Sequence, residues 1–281
     1  MQKIDSHQHF WNYDPATHGW ITDDMEIIRQ DFLPEDLEPI LSEYGFEGCV
    51  SVQADQSETE NHMLIEHAIR HSFIKGVVGW VDFKAPNVEE RLAYYKKFDK
   101  VKGFRHILQG EADRAYMLND DFKRGISKLK QFGYTYDILV YPDQLQFTGE
   151  FVSAFPDQPF VIDHLAKPNI KNGDIKQWAK DMRAIAQNKN VSCKVSGMVT
   201  EADWTDWKVS DFTPYLDVVF EAFGSDRVMY GSDWPVCRVA ATYGETLSVA
   251  EAYVAKLSVD EQAKFWGSNA IEFYRLNEIS I

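Results

Sequence analysis

The sequence is poor in cysteine: Cys49, Cys193 and Cys237 are odd in number, widely spaced and form no C-x-x-C pair. That argues against a disulfide framework and against a thiolate zinc site, and leaves small buried thiols in a reducing compartment. No run of about 18 apolar residues offers a membrane span. Glycine is missing where it would cradle phosphate, since neither G-x-G-x-x-G nor the P-loop pattern occurs, which counts against a Rossmann dehydrogenase or a nucleotide hydrolase. Positive charge is scarce as well. Against 44 Asp and Glu stand 29 Lys and Arg, a formal net charge of −15. Such a field repels nucleic acid and anionic membrane surfaces and suits a small neutral substrate better. The opening residues lack the basic and apolar regions of a secretory leader, so a cytoplasmic location is expected.

What is present is ample apolar material, 44% hydrophobic and 14% aromatic residues. Short apolar segments suited to buried strands fall at Lys3–His7, Cys49–Gln53, Val77–Asp82, Lys102–Ile107, Tyr134–Tyr141, Phe160–His164, Val191–Ser196 and Val228–Asp233. Between them run amphipathic stretches with helix signals. Leu33–Tyr44 has Pro34 in its first turn and Gly45 at its end; Glu58–Ser72, Val88–Phe98, a helix from Asn119 to near Gly133, Gln144–Ala154, Ile175–Asn188, Phe212–Phe223 and Glu245–Leu257 follow. A capping box of Ser258 and Glu261 opens Val259–Tyr274. Eight strands alternating with helices predict a closed parallel (β/α)₈ TIM barrel, an α/β fold, and the absence of repeats or linkers predicts one domain over residues 1–281.

In such a barrel the C-terminal strand ends share one mouth, so reading them gives the candidate site. The first strand ends in Ile4-Asp5-Ser6-His7-Gln8-His9-Phe10-Trp11, where alternation turns His7 and His9 the same way. Two adjacent imidazoles can clasp a transition metal or hydrogen-bond a substrate oxygen. Later ends supply Gln53, Arg105 or His106 (whichever faces inward), Tyr141 with Asp137 deeper, Asp163-His164 with Lys167 beyond, Lys194 and Ser196, and Asp233-Trp234. Asp137 and Asp163 could equally serve as internal hydrogen-bond acceptors, and the tryptophans as loop packing. Asp233 has no helix to cap and stands between a strand and a proline turn.

Five motifs in order carry a resemblance: Asp5-Ser6-His7-Gln8-His9-Phe10-Trp11, Asp163-His164-Leu165-Ala166-Lys167-Pro168, Lys194-Val195-Ser196-Gly197, Gly231-Ser232-Asp233-Trp234-Pro235, and Gly267-Ser268-Asn269-Ala270 with Phe273-Tyr274. Together they resemble the amidohydrolase superfamily, in particular its amidohydrolase-related branch, which includes sugar lactonases and 2-pyrone-4,6-dicarboxylate lactonase. The resemblance implies a (β/α)₈ barrel, lactone or amide hydrolysis and a strand-eight aspartate as general base. His7, His9 and His164 are then expected to polarise the carbonyl. The chain departs from the firmly metal-binding pattern, having Leu139, Val140 and Tyr141 at the fifth strand end. No required cofactor is expected, with His7, His9 and Asp233 as ligands if zinc binds weakly.

A dicarboxylate substrate would call for several arginines. The aromatic and hydroxyl-binding set of Trp11, Trp20, Gln53, Arg105, His106, Tyr141, Lys167, Lys194, Ser196 and Trp234 suits a sugar-acid lactone instead, such as L-fucono-1,5-lactone or a related L-rhamnono- or D-arabinono-lactone. A zinc-dependent amidohydrolase or decarboxylase, and a catalytically silent sugar-binding barrel, stay open as alternatives. A homodimer is a further expectation.

Overall fold

The computed structural model describes residues 2–277. Eight strands form one sheet in sequence order: β1 (Ile4–Gln8), β2 (Gly48–Val52), β3 (Ile74–Gly79), β4 (Val101–His106), β5 (Thr135–Ile138), β6 (Phe160–Ile162), β7 (Val191–Val195) and β8 (Val228–Tyr230). Every neighbouring pair is parallel. The helices α1 (Pro34–Glu43), α2 (Glu58–Arg70), α3 (Val88–Tyr95), α4 (Asp120–Ile126), α5 (Leu129–Phe132), α6 (Leu145–Ser153), α7 (Lys176–Ile185), α8 (Val209–Phe223) and α9 (Tyr243–Val254) alternate with the strands. This is the expected (β/α)₈ barrel. No helix among the described residues is long and apolar enough to cross a membrane.

The barrel closes between β1 and the segment just after β8. His9 N donates to Trp234 O at 2.7 Å and Asp233 N donates to His7 O at 2.8 Å. Asp5 strengthens the seam by accepting from the Ser232 N–H at 2.9 Å, and Ser6 Oγ donates to Tyr230 O at 2.6 Å. The seam that closes the cylinder therefore also fixes His7, His9 and Asp233 against one another. The pairing of β1 with β2 shifts register between Asp5 and Gln8. A bulge of this kind re-aims side chains near a site: Ile4 belongs to the barrel's apolar filling, and His7 still meets Arg105 and Lys194 inside.

The interior is layered. Ile4, Val50, Val52, Val78, Val161 and Met229 pack into an apolar cluster with Ala270 and Tyr274, which close the bottom. Above them comes a buried charged layer of Arg105, Asp137, Asp163 and Lys194.

Two expected helices are interrupted. The stretch from Asn119 to Gly133 divides into α4 and α5 where the turn tightens, Lys128 N donating to Gly125 O at 3.1 Å. Val259–Tyr274 becomes α10 (Val259–Ala263), a π-turn at Lys264–Ser268 and α11 (Asn269–Tyr274). The widened turn lets Phe265 and Trp266 pack on Tyr230 while Ala270 and Tyr274 reach the barrel floor. The expected ends of β5, β6 and β8 are also too long, because β6 gives way at Asp163 to a left-handed turn and β8 stops at Tyr230.

Candidate active site

Four side chains converge at the mouth. His9 Nε2 lies 3.3 Å from Asp233 Oδ1, His164 Nε2 3.8 Å and His7 Nε2 3.9 Å from the same oxygen, and the two Nε2 atoms of His7 and His9 are 3.3 Å apart. His7 and His164 rings meet edge to face at 4.3 Å between centroids. His9 Nδ1 is 2.7 Å from the Val52 carbonyl, which can only accept, so Nδ1 carries a hydrogen.

The backbone is bent to bring them together. His164, Leu165, Ala166 and Lys167 all have φ between 51° and 56°, and Asp233 has φ 58°. Left-handed backbone costs roughly 1–2 kcal/mol per residue, and such strain gathers at functional sites. The turn is anchored by the Trp178 indole N–H, which donates to Leu165 O at 2.7 Å. His164 Nδ1 is 2.9 Å from Ser196 Oγ. Gly197 faces both: a Cβ there would lie 2.6 Å from His164 Nδ1 and 3.1 Å from Asp233 Oδ2. At Gly231 a Cβ would lie 2.6 Å from that of His7. Both positions require glycine for close approach.

Electrostatics sort these groups into ionised and neutral. Burial opposes the Asp233 charge, but His164, His9 and Lys167 outweigh it and hold the carboxyl below its usual range. Burial pushes His164 well below the ordinary imidazole value against the pull of Asp233. It does the same to His7, where Asp163 pulls upward and Lys194 pushes further down. Lys167, 3.2 Å from Glu201, has its pKa raised because Glu201 and Asp233 outweigh burial. An ionised carboxylate thus faces two neutral imidazoles.

Beneath lies the charged layer. Arg105 Nη1 donates to Asp163 Oδ2 at 3.0 Å and contacts His7 Nε2 at 3.2 Å; its Nη2 donates to the Gln53 side chain at 2.9 Å and also to the Gln53 carbonyl. Lys194 Nζ donates to Asp137 Oδ2 at 2.6 Å and lies 3.0 Å from Asp163 Oδ1. Burial raises the Asp137 carboxyl to about 6 despite Lys194. Burial works the same way on Asp163, yet Lys194, His7 and Arg105 drive its pKa well down.

Of the expected substrate contacts, Gln53, Arg105, Lys167 and Ser196 join this constellation, and Tyr141 stands at its rim with Lys167 5.9 Å from its ring. Five others sit elsewhere. His106 turns outward, stacked on Tyr116 and bonded to Trp80 and Glu111, because it is one residue out of step with the inward Arg105. Trp11 is buried among His18, Trp20 and Phe32 with its indole N–H on the Gln30 carbonyl. Trp234 packs between Phe10 and Phe32. Lys194 is buried below the mouth among Asp137, Asp163, His7 and the Tyr274 ring. Trp20 remains on the surface, 39% exposed. Trp204 and Trp207 spend their indole N–H groups on the Thr200 and Ala240 carbonyls. Glu201 and Tyr274 were absent from the expected set; Tyr274 donates to Asp137 Oδ2 at 2.7 Å from the last helix, a contact no strand-end pattern announces.

The donor atoms of His7, His164 and Asp233 all lie within 4.8 Å of one another. With His9 Nε2 3.3 Å from both His7 Nε2 and Asp233 Oδ1, this nitrogen and oxygen set is one that zinc accepts. His164 joins the expected trio of His7, His9 and Asp233.

An inward ring of histidines and one aspartate at the top of a (β/α)₈ barrel marks a hydrolase-type site. The amidohydrolase family model matches residues 4–276, and the chain belongs to that family. It is 39% identical to an L-fucono-1,5-lactonase of Burkholderia multivorans, over 98% of this chain and 97% of that one. A second L-fucono-1,5-lactonase, from Burkholderia ambifaria, is 35% identical over 99% and 97%. A crystal structure of a Burkholderia multivorans amidohydrolase with bound zinc superposes with a TM-score of 0.95 at 38% identity, covering 98% of this chain and 99% of that one.

Proposed function

We propose that the protein opens a sugar-acid lactone to its aldonate, with L-fucono-1,5-lactone or a related L-rhamnono- or D-arabinono-lactone as substrate and Asp233 as general base. The observation that carries this reading is the ionised Asp233 carboxylate facing His9, His164 and His7 at 3.3 to 3.9 Å, in a chain similar along its length to two sugar lactonases.

Water held by Asp233 attacks the lactone carbonyl carbon while the carboxylate takes its proton. The carbonyl electron pair moves onto oxygen, and the imidazoles with the Arg105 guanidinium stabilise that oxyanion. Collapse re-forms the carbonyl and breaks the bond to the ring oxygen, which leaves with the proton returned by Asp233. One lactone and one water give one hydroxy acid. Base catalysis contributes about 10²–10⁴-fold, and each oxyanion donor about 10²–10³-fold. Lys167 and Tyr141 at the rim suit hydroxyls and an aromatic face for the sugar. Were a divalent ion bound, His7, His9, His164 and Asp233 would hold it, and it would polarise the carbonyl or acidify water.

A panel of sugar lactones at mildly acidic pH, where spontaneous opening is slow, tests the reading. Acceleration over buffer with the L-fucono or a related lactone is expected. No acceleration with any member would overturn it in favour of a binding barrel.

A further inference from the structure

Three consecutive strands, β5, β6 and β7, are followed by Tyr141, Lys167 and Glu201, and the three side chains meet at the mouth. Lys167 Nζ donates to Glu201 Oε1 at 3.2 Å and lies 5.9 Å from the centre of the Tyr141 ring. Burial opposes the Lys167 charge, but Glu201 and, after it, Asp233 outweigh that penalty. The ammonium is therefore within reach of both the Glu201 carboxylate and the carboxylate that activates water.

Neither member of the pair is saturated. An ammonium has three hydrogens, and a carboxylate has about four lone-pair positions. Among the described residues only Glu201 accepts from Lys167, and Glu201 Oε1 also accepts from Thr200 Oγ1 at 3.4 Å, while Oε2 accepts from none. The two side chains are 15% and 19% exposed, enclosed enough to escape full solvent screening and open enough to meet a small molecule. Both are held in place. Lys167 sits in left-handed backbone, φ 51°, with its N–H on the His164 carbonyl at 2.7 Å. Glu201 N donates to Met198 O at 3.1 Å, and Glu201 O accepts from Lys171 N at 3.0 Å. An ordinary surface ion pair needs neither the strained backbone nor the enclosure.

A hydroxyl both donates and accepts, so hydroxyls on neighbouring carbons match an acceptor and a donor side by side. We propose that Glu201 and Lys167 clamp the two adjacent hydroxyls nearest the lactone carbonyl, Glu201 Oε2 accepting from one and Lys167 Nζ donating to the other, and so select sugar lactones over unsubstituted ones. This rests on the lactonase reading above. The nearness of Lys167 to Asp233 puts the clamp beside the carbonyl that water attacks, hence the choice of the first and second carbons from it. A ring without hydroxyls there would cover two charges and pair neither, which is how a polar site rejects an apolar analogue.

The test compares Glu201→Gln with the wild type, each checked by thermal melt, on the best sugar lactone of the panel, its 2-deoxy and 3-deoxy analogues, and unsubstituted δ-valerolactone. The fall in kcat/KM is expected to be about ten- to a hundredfold greater on the sugar lactone than on δ-valerolactone, chiefly through KM, because a hydrogen bond to a charged group is lost. One deoxy analogue should be handled by the variant as the full lactone is, marking the hydroxyl that Glu201 holds. Lys167→Met, measured beside it, should show the same preferential loss. Equal falls on the two ring types would reduce the pair to support for Asp233, and no fall on either would leave it without a role; both results overturn the proposal. Calorimetry with L-fucono-1,5-lactam, in which N–H replaces the ring oxygen, separates this outcome from failure of the lactonase reading. If no lactone is turned over, lactam binding that weakens at least tenfold in Glu201→Gln would still uphold the clamp. Equal binding by both proteins, or none by the wild type, would overturn it.

Discussion

Val161 and Asp163 lie two residues apart on and just after one strand, and they obey opposite rules. Val161 belongs to the lower barrel layer, where Ile4, Val50, Val52, Val78 and Met229 need only fill space. Asp163 belongs to the layer above, where every charge depends on a named partner: Arg105 at 3.0 Å and Lys194 at 3.0 Å. Apolar packing tolerates small changes in shape, whereas an ion pair loses most when one partner goes and the other stays buried. The lower layer therefore supports, and the upper one holds His7 and, through it, the mouth.

Mutation can break that contrast most sharply at Asp163. Asp163→Ala leaves Arg105 and Lys194 short of a counter-ion, so chemical denaturation should show a loss of about 3–5 kcal/mol. A loss no larger than an ordinary packing defect would mean the charged layer is not what holds His7. In the lower layer, Ile4→Val removes one methylene, with an expected cost of about 0.5–1.5 kcal/mol and kcat essentially unchanged. A large fall in kcat there would erase the distinction between the layers.

The smallest expected effect is a pH dependence. Burial raises Asp5 and Asp137 to about 6 and Glu60 to about 8. In the folded state these acids bind protons at higher pH than in the unfolded chain. The penalty for keeping them charged is full above those values and is relieved as pH falls toward the ordinary carboxyl range. Stability should thus rise from about pH 8 toward pH 5, by a few degrees in a thermal melt, and Glu60→Gln should flatten the upper part of that slope. Asp163 works the other way, since its lowered pKa contributes stability that is lost only as pH drops below the usual carboxyl range.

The eight strands were legible because parallel strands buried on both faces are continuous apolar runs, as Cys49-Val50-Ser51-Val52 and Phe160-Val161-Ile162 show. The convergence of His7, His9, His164 and Asp233 was legible because strand ends in a barrel share one mouth. Individual orientations were not. Arg105 and His106 are neighbours with equal polarity, and only strand register sends one inward. Four left-handed residues from His164 to Lys167 carry no glycine to announce them. Trp11 and Trp234 look alike as sugar platforms or loop packing until their partners Phe32 and Gln30 are in place. Tyr274 comes from a distant helix, so its bond to Asp137 belongs to tertiary structure alone.

The most direct test is the kcat of Asp233→Asn on the best lactone of the panel, with a thermal melt as control. A fall of roughly a hundredfold or more at a nearly unchanged melting temperature is expected if this carboxylate takes the water's proton. An unchanged kcat would contradict the general-base role and the reading built on it.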